Sequence, residues 1–281
     1  FSNRNFNGLT GSIGAVWNAG RQINVRINIA RGFRAPNMSE LGSDGVHEGT
    51  LRYEIGNPRL KAEYSWQADA GLDFSSKYLS AQLAVFANRI ENYIFSKRID
   101  QIVEPGYNTY NYTQGNALLH GLEADIDFHP IHKIHFANTF SYVYARQLHQ
   151  PQEAKYLPLT PAPHWNAELK YEINEMGRLL SNSYVAVGLD CYARQNHYYK
   201  VDDTETVTPG YALVSLSAGT SLMVRKKKIA DLYIIADNLF DKAYQNHLSR
   251  LKYTDINNAT GRMGVYNMGF NISLKAVIYI L

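Results

Sequence analysis

His47 stands in the run Asp44-Gly45-Val46-His47-Glu48-Gly49, an imidazole with a carboxylate close on either side. Neutral imidazole binds iron and zinc alike, so His47, with Glu48 and Asp44 behind it, is a candidate metal or ligand contact whose residue types do not separate the two ions. His197, beside Tyr198 and Tyr199, and His247, near Tyr244 and Tyr253, lie in other long polar stretches and could assist binding, although solvated loop tips explain such residues as well. His129, His132 and His135 straddle a short turn and weigh less as a metal group. Acidic residues recur at alternate positions, namely Asp69 and Asp73, then Glu123, Asp125 and Asp127. Paired carboxylates can do acid–base work, but no Ser/His/Asp, Cys/His or zinc-hydrolase spacing accompanies them. Binding rather than bond chemistry is expected, with no catalytic residue, no enzyme activity and no resident cofactor.

The segments that must position these groups read as strands. From Glu63 to Ser75 every second residue is apolar (Tyr64, Trp66, Ala68, Ala70, Leu72, Phe74), and Ser65, Gln67, Asp69, Gly71 and Asp73 fall between them. Successive side chains of a strand point to opposite faces, so this ribbon has one apolar and one wet side. It exceeds the roughly 5 to 6 residues of a common strand and suffices for the roughly 9 to 11 of a tilted membrane crossing. The pattern returns. Leu122, Ala124, Ile126 and Phe128 oppose Glu123, Asp125 and Asp127; Trp165, Ala167, Leu169, Tyr171 and Ile173 oppose Asn166, Glu168, Lys170 and Glu172. Near the end Phe270, Ile272, Leu274, Ala276 and Ile278 oppose Asn271, Ser273 and Lys275.

Composition fits a two-faced wall. The 281 residues are 45% hydrophobic and 12% aromatic, with 21 Tyr, and the mean hydropathy is -0.32. In such a wall lipid-facing and lumen-facing residues cancel in the average. No run approaches the roughly 18 apolar residues of a membrane helix. Tyrosine suits the boundary between membrane and water. A net charge of +3 is too mild to point to nucleic acid, and the basic run Arg225 to Lys228 reads as a solvated turn. Cys191 is the single cysteine and forms no internal disulfide. Phe1 to Thr10 has neither the basic start nor the apolar core of a signal peptide, so an exported protein would begin upstream of it.

Marking alternation and turn chemistry predicts about eleven strands, near 9–18, 21–31, 62–75, 77–90, 115–129, 132–146, 164–174, 183–194, 209–221, 229–239 and 263–279. Short connections alternate with long polar ones at about 32–61, 91–114, 147–163, 195–208 and 240–262. That alternation belongs to an all-β, antiparallel transmembrane β-barrel, with short periplasmic turns and long extracellular loops. The turn carrying His129, His132 and His135 should then face the periplasm. A soluble sandwich with a charged solvent face is the alternative; strand length and loop alternation favour the barrel. Trp66, Leu72, Ala124 and Leu169 should then lie on the outer skin of a curved sheet. No linker suggests a second domain.

Three segments carry a family resemblance. They are Arg31-Gly32-Phe33-Arg34-Ala35-Pro36, followed by an acidic stretch containing Glu40; Gly56 to Glu63 (GNPRLKAE), with Asn57, Pro58, Leu60 and Glu63; and Asn238-Leu239-Phe240-Asp241-Lys242-Ala243-Tyr244. They resemble the FRAP, GNPxLKxE and NLFDKxY boxes of TonB-dependent outer-membrane receptors. The residues also read as punctuation: Pro36 ends a strand, Asn57-Pro58 forms a turn, and Asn238 leads a strand into a polar loop.

The resemblance implies a barrel of about 22 strands with a plugged lumen. Residues 1–281 would then be the second half of one barrel, with the plug and the N-terminal barrel strands outside the given chain. It implies import of a scarce nutrient across the outer membrane of a Gram-negative bacterium, with an iron chelate, haem or a metal favoured. Its partners would be outer-membrane lipid, a small-molecule ligand such as haem, a siderophore or a metal, and a TonB complex acting through the absent plug. In haem receptors of this family a coordinating histidine lies between the first two boxes, the interval that His47 occupies. Zinc-type receptors show a similar Gly-x-His stretch before an acidic Ile-Gly-Asn, as at Glu54-Ile55-Gly56-Asn57. Such barrels commonly finish on an aromatic residue, whereas this chain finishes on Leu281, so the native terminus is open. A passive porin with the same wall is the other reading.

Overall fold

The computed structural model describes residues 4–201, 205–225 and 227–279, and for 174–176 the backbone only. The strands are β1 (Gly11–Asn18), β2 (Ile23–Arg34), β3 (Asp44–His47), β4 (Arg52–Ile55), β5 (Glu63–Ser75), β6 (Leu79–Ile99), β7 (Asn108–Ile131) and β8 (Ile134–Gln147). They continue as β9 (His164–Met176), β10 (Leu180–Tyr192), β11 (Tyr211–Val224), β12 (Lys227–Asp237), β13 (Ile256–Asn257), β14 (Arg262–Met263) and β15 (Asn271–Ile278). A short helix α1 (Met38–Gly42) precedes β3.

Eleven strands follow one another across a single sheet in the order β1-β2-β5-β6-β7-β8-β9-β10-β11-β12-β15. Each pairs antiparallel with the next. All eleven wall strands expected from the alternation are present. Among the described residues, short connections at 19–22, 76–78, 132–133 and 177–179 and at Arg225 gather at one end, and long ones at 35–62, 100–107, 148–163, 193–201 with 205–210, and 238–270 at the other. Gly20 and Gly177 turn two of the short connections with φ of 98° and 73°. Of the basic run, Lys228 is tied to Asp231 at 2.7 Å rather than wholly solvated. Lys226 and the terminus at Leu281 lie outside the described residues.

Register fixes the two faces. Leu72 lies opposite Val25 and Leu83, Ala124 opposite Leu83 and Phe140, and Leu169 opposite Phe136 and Val187. The outer skin stays uncovered: Trp66, Leu72 and Leu169 are 54%, 42% and 50% exposed. A sandwich core would have hidden them, so this is the wall of an antiparallel transmembrane β-barrel. The inner face is polar and paired across strands. Arg26 reaches Asp73 at 2.8 Å, passing over Gly71, whose missing Cβ leaves room for the guanidinium. Asn28 donates to Asp69 at 3.3 Å.

Departures from the expected elements occur at the long-loop end. β6 and β7 run on through most of the loop expected at 91–114, pairing as far as Ile99 with Thr109 past an irregularity between Ile90 and Tyr93. The last strand begins at Asn271, not near 263, because Asn267 and Gln245 tie the preceding segment into the loop. The loop 35–62 is structured: β3 and β4 form a hairpin, and β4 docks parallel on β7.

Candidate functional site

The first two boxes are tied to each other through Arg34 and Glu63, and the third is tied within itself and to the segment before the last strand. Arg34 grips Glu63 from Nε and Nη2 at 2.6 and 2.7 Å and reaches Glu40 from Nη1 at 2.9 Å. Asn37 caps α1 and is capped in return by Glu40, both bonds 2.8 Å. Glu63 also accepts from the Ile94 amide at 2.6 Å. Pro36 and Leu60 are buried, and Asn57 donates to the Tyr112 carbonyl at 3.2 Å. Pro58 accepts from Arg4. Phe33 packs on Tyr64 with ring centroids 5.5 Å apart, and Arg31 lies over Tyr64 and Trp66 at the rim of the outer face. Asn238, at φ 48°, bonds both the amide and the carbonyl of Lys242, and Asp241 accepts from the Phe270 amide at 3.0 Å. The Leu239 amide donates to Val214, while Phe240 stays exposed. These residues hold loops on the wall.

The candidate ligands are scattered. His47 ends β3, exposed, with Nδ1 3.1 Å from the Thr50 hydroxyl; Glu48 is exposed beside it. Asp44 accepts from the Tyr53 hydroxyl at 2.7 Å, which pushes the Tyr53 pKa up. His197 is sandwiched among rings, stacked on Tyr156 at 4.8 Å and edge-on to Tyr144 at 5.3 Å. His247 is buried, 2.8 Å from the Thr208 hydroxyl, with Lys252 Nζ 3.5 Å away and Glu205 3.9 Å from Nε2. Burial, and then Lys252, lower the His247 pKa to about 4, so at neutral pH the ring is uncharged and its approach to Glu205 is not an ion pair. Burial also lowers the Lys252 pKa. Among the described residues no three groups with metal-ligating atoms come together around His47, His197 or His247.

The structure instead assembles a cavity that no local spacing announces. About 370 Å³ in volume, it lies between the β3–β4 hairpin, the tops of β6 and β7, and the loops 148–163 and 238–270. Arg52, Tyr110, Arg250 and Tyr253 line it, with Gly49 and Thr50 next to His47 at its edge. Arg52 lies over the Tyr110 ring at 4.8 Å and donates to Glu54 at 2.7 Å. Burial would raise the Glu54 carboxyl, but Arg52 and the Tyr112 hydroxyl outweigh it and hold the pKa below its ordinary value. Arg250 has no hydrogen bond or ion pair among the described residues. Its pKa is lowered by burial and by repulsion from Arg52. A second cavity of about 360 Å³ shares Tyr253 and is lined by Lys242, Tyr211, Tyr244 and Lys252. Tyr244 closes a row of rings, His164 to Tyr192 to Tyr211 to Tyr244, with centroids 4.2, 4.8 and 4.6 Å apart. The lining of the first cavity also holds the carboxylates Glu205 and Asp255, so it offers guanidinium groups, aromatic faces and a concave shape beside acidic groups.

A family profile described as TonB dependent receptor-like, beta-barrel matches residues 1–239. Among solved structures the chain is similar to the copper transporter OprC, with a TM-score of 0.74 and 17% identity over 95% of this chain and 39% of that one. It is also similar to a variant of the ferric enterobactin receptor PfeA from Pseudomonas aeruginosa, with a TM-score of 0.64 and 21% identity over 96% and 40%. A third is the FrpB iron transporter from Neisseria meningitidis, with a TM-score of 0.65 and 14% identity over 96% and 39%. At these identities the likeness is one of fold, and the chain spans about 40% of the length of these proteins. Wall, loop order and profile agree: the chain belongs to the TonB-dependent receptor β-barrel family.

Proposed function

We propose that residues 1–281 are the C-terminal part of the barrel of an outer-membrane receptor that captures an anionic metal chelate in its long-loop cavity and imports it. The observation that carries this reading is the pair Arg52 and Arg250 beside Tyr110 and Tyr253. Arg52 repels Arg250, and an anion placed between them would relieve that repulsion while its rings met the tyrosines. The names of the similar structures, which speak of copper, ferric enterobactin and iron, run in the same direction. The path of strands leaves the outer edges of β1 and β15 unpaired among the described residues. Backbone groups left open in lipid each cost several kcal/mol, which supports closure by further strands of the same protein. A plug within that lumen, pulled by a TonB complex, would supply the energy, in the envelope of a Gram-negative bacterium.

A ferric catecholate titrated against the full-length receptor tests the reading. Replacing both arginines (Arg52→Ala with Arg250→Ala) should weaken binding about tenfold or more, since charge-assisted bonds contribute roughly 1.5–3 kcal/mol each; unchanged affinity would remove the cavity as the site. A second reading, haem or metal capture at His47, is favoured by the exposed imidazole beside Thr50, which lines the cavity. A haem or zinc titration of the His47→Ala receptor separates the two.

A further inference from the structure

At the short-turn end, opposite the cavity, groups from two neighbouring strands converge on the inner face of the wall. Asp127 and His129 stand two residues apart on β7, and His135 is the second residue of β8 across the turn. His135 Nδ1 lies 3.6 Å and His129 Nδ1 3.8 Å from the same oxygen, Asp127 Oδ2. The two imidazoles face each other with centroids 5.8 Å apart and planes 29° from parallel. One ligand atom from each of the three residues falls within 4.8 Å of the others. Asp127 Oδ1 and His129 Nδ1 are both closed off from solvent and have no hydrogen-bond partner. Buried polar atoms nearly always find partners, so two such atoms within one half-exposed cluster leave donor capacity there for a ligand.

We infer that Asp127, His129 and His135 bind a divalent transition-metal ion of the zinc or copper type. Two imidazole nitrogens and one carboxylate oxygen are donors for those ions, and are too rich in nitrogen for magnesium or calcium. With bonds of about 2.0–2.1 Å in a tetrahedral shell, donors sit about 3.3 Å apart. Closing from the present spacing takes small side-chain rotations and leaves the paired strands where they are. Glu172 stands ready as a neighbour, its Oε1 3.9 Å from His135 Nε2 and held by Lys170 at 2.9 Å. Lys170 balances that carboxylate, so the ion's own charge is met by Asp127. None of these residues belongs to the three boxes or to the long-loop cavity, so the site stands independently of the ligand reading above.

The test is a Cu(II) titration of the full-length receptor carrying His47→Ala, followed by pulsed electron paramagnetic resonance. The first equivalent should show modulation from coordinated imidazole nitrogen. Adding His129→Gln and His135→Gln should abolish that modulation and weaken the first equivalent about tenfold or more. No imidazole modulation in the His47→Ala receptor, or the same modulation and affinity after the two further changes, overturns the site. Should the double change prevent barrel assembly, Asp127→Asn decides, because it keeps the side chain's shape: weaker binding supports the site, and unaltered affinity overturns it.

Discussion

Arg34 and Glu63 lock β2 to β5 by a two-pronged ion pair, with bonds of 2.6 and 2.7 Å that leave Nη1 of the same guanidinium for Glu40. One arginine thus fastens the strand that enters loop 35–62, the helix within it and the strand that leaves it. Glu63→Gln keeps the shape and removes the charge. The expected loss is about 1–2 kcal/mol, discounted because Arg34 is partly open to water. Protease cleavage within 35–62 should quicken; cleavage at the original rate would show that the loop is held by other contacts.

Acid should loosen the other long loops through His247. Its folded pKa of about 4 lies below the ordinary 6.5, so the unfolded segment takes up a proton in a range where the folded one does not. Stability is full above about pH 6.5 and is lost as pH falls toward 4, by on the order of 3 kcal/mol. Hydrogen exchange across 240–262 should rise over that window, and His247→Gln should flatten the dependence. An identical acid response in the variant would assign it to another group.

The two faces of β9 should answer oppositely to charge. Leu169→Arg places a guanidinium on the outer skin and should cost about 2–4 kcal/mol in lipid. Glu168→Arg, one residue earlier on the wet side, should cost much less. Unfolding of the reconstituted full-length barrel measures both; equal losses would contradict the assignment of faces.

Asn238 should tolerate glycine better than alanine. Its φ of 48° suits Asn or Gly, and its side chain bonds the amide and carbonyl of Lys242 and the carbonyl of Met268. Asn238→Gly loses those bonds alone, whereas Asn238→Ala adds backbone strain of about 1 kcal/mol. Thermal unfolding ranks the two, and a variant pair of equal stability would mean that the backbone relaxes there.

The wall was legible because lipid enforces a two-residue period on every crossing, as at Tyr64 to Phe74 and Trp165 to Ile173. Past the lipid that demand lapses. The tops of β6 and β7, where Asn92 turns to φ 57° inside a strand, therefore read as loop. The boxes were legible as order and as turn chemistry, though not the grip of Arg34 on Glu40 and Glu63. The cavity was not legible at all: Arg52, Tyr110 and Arg250 meet only through the folding of separate loops. Nor does any neighbour in the chain announce that His247 is buried while His47 is exposed.

β6 and β7 hold 21 and 24 residues. At roughly 3.3 Å per residue the longer strand reaches about 80 Å, and at a tilt near 45° it still climbs more than twice the about 25 Å apolar band. The surplus stands as paired strands beyond the apolar band on the long-loop side, with the β3–β4 hairpin moored to it. Under the capture proposed for the long-loop cavity, a solute would be met far above the hydrocarbon, on paired strands rather than on a swinging arm, and the first encounter would require no excursion of the wall beneath.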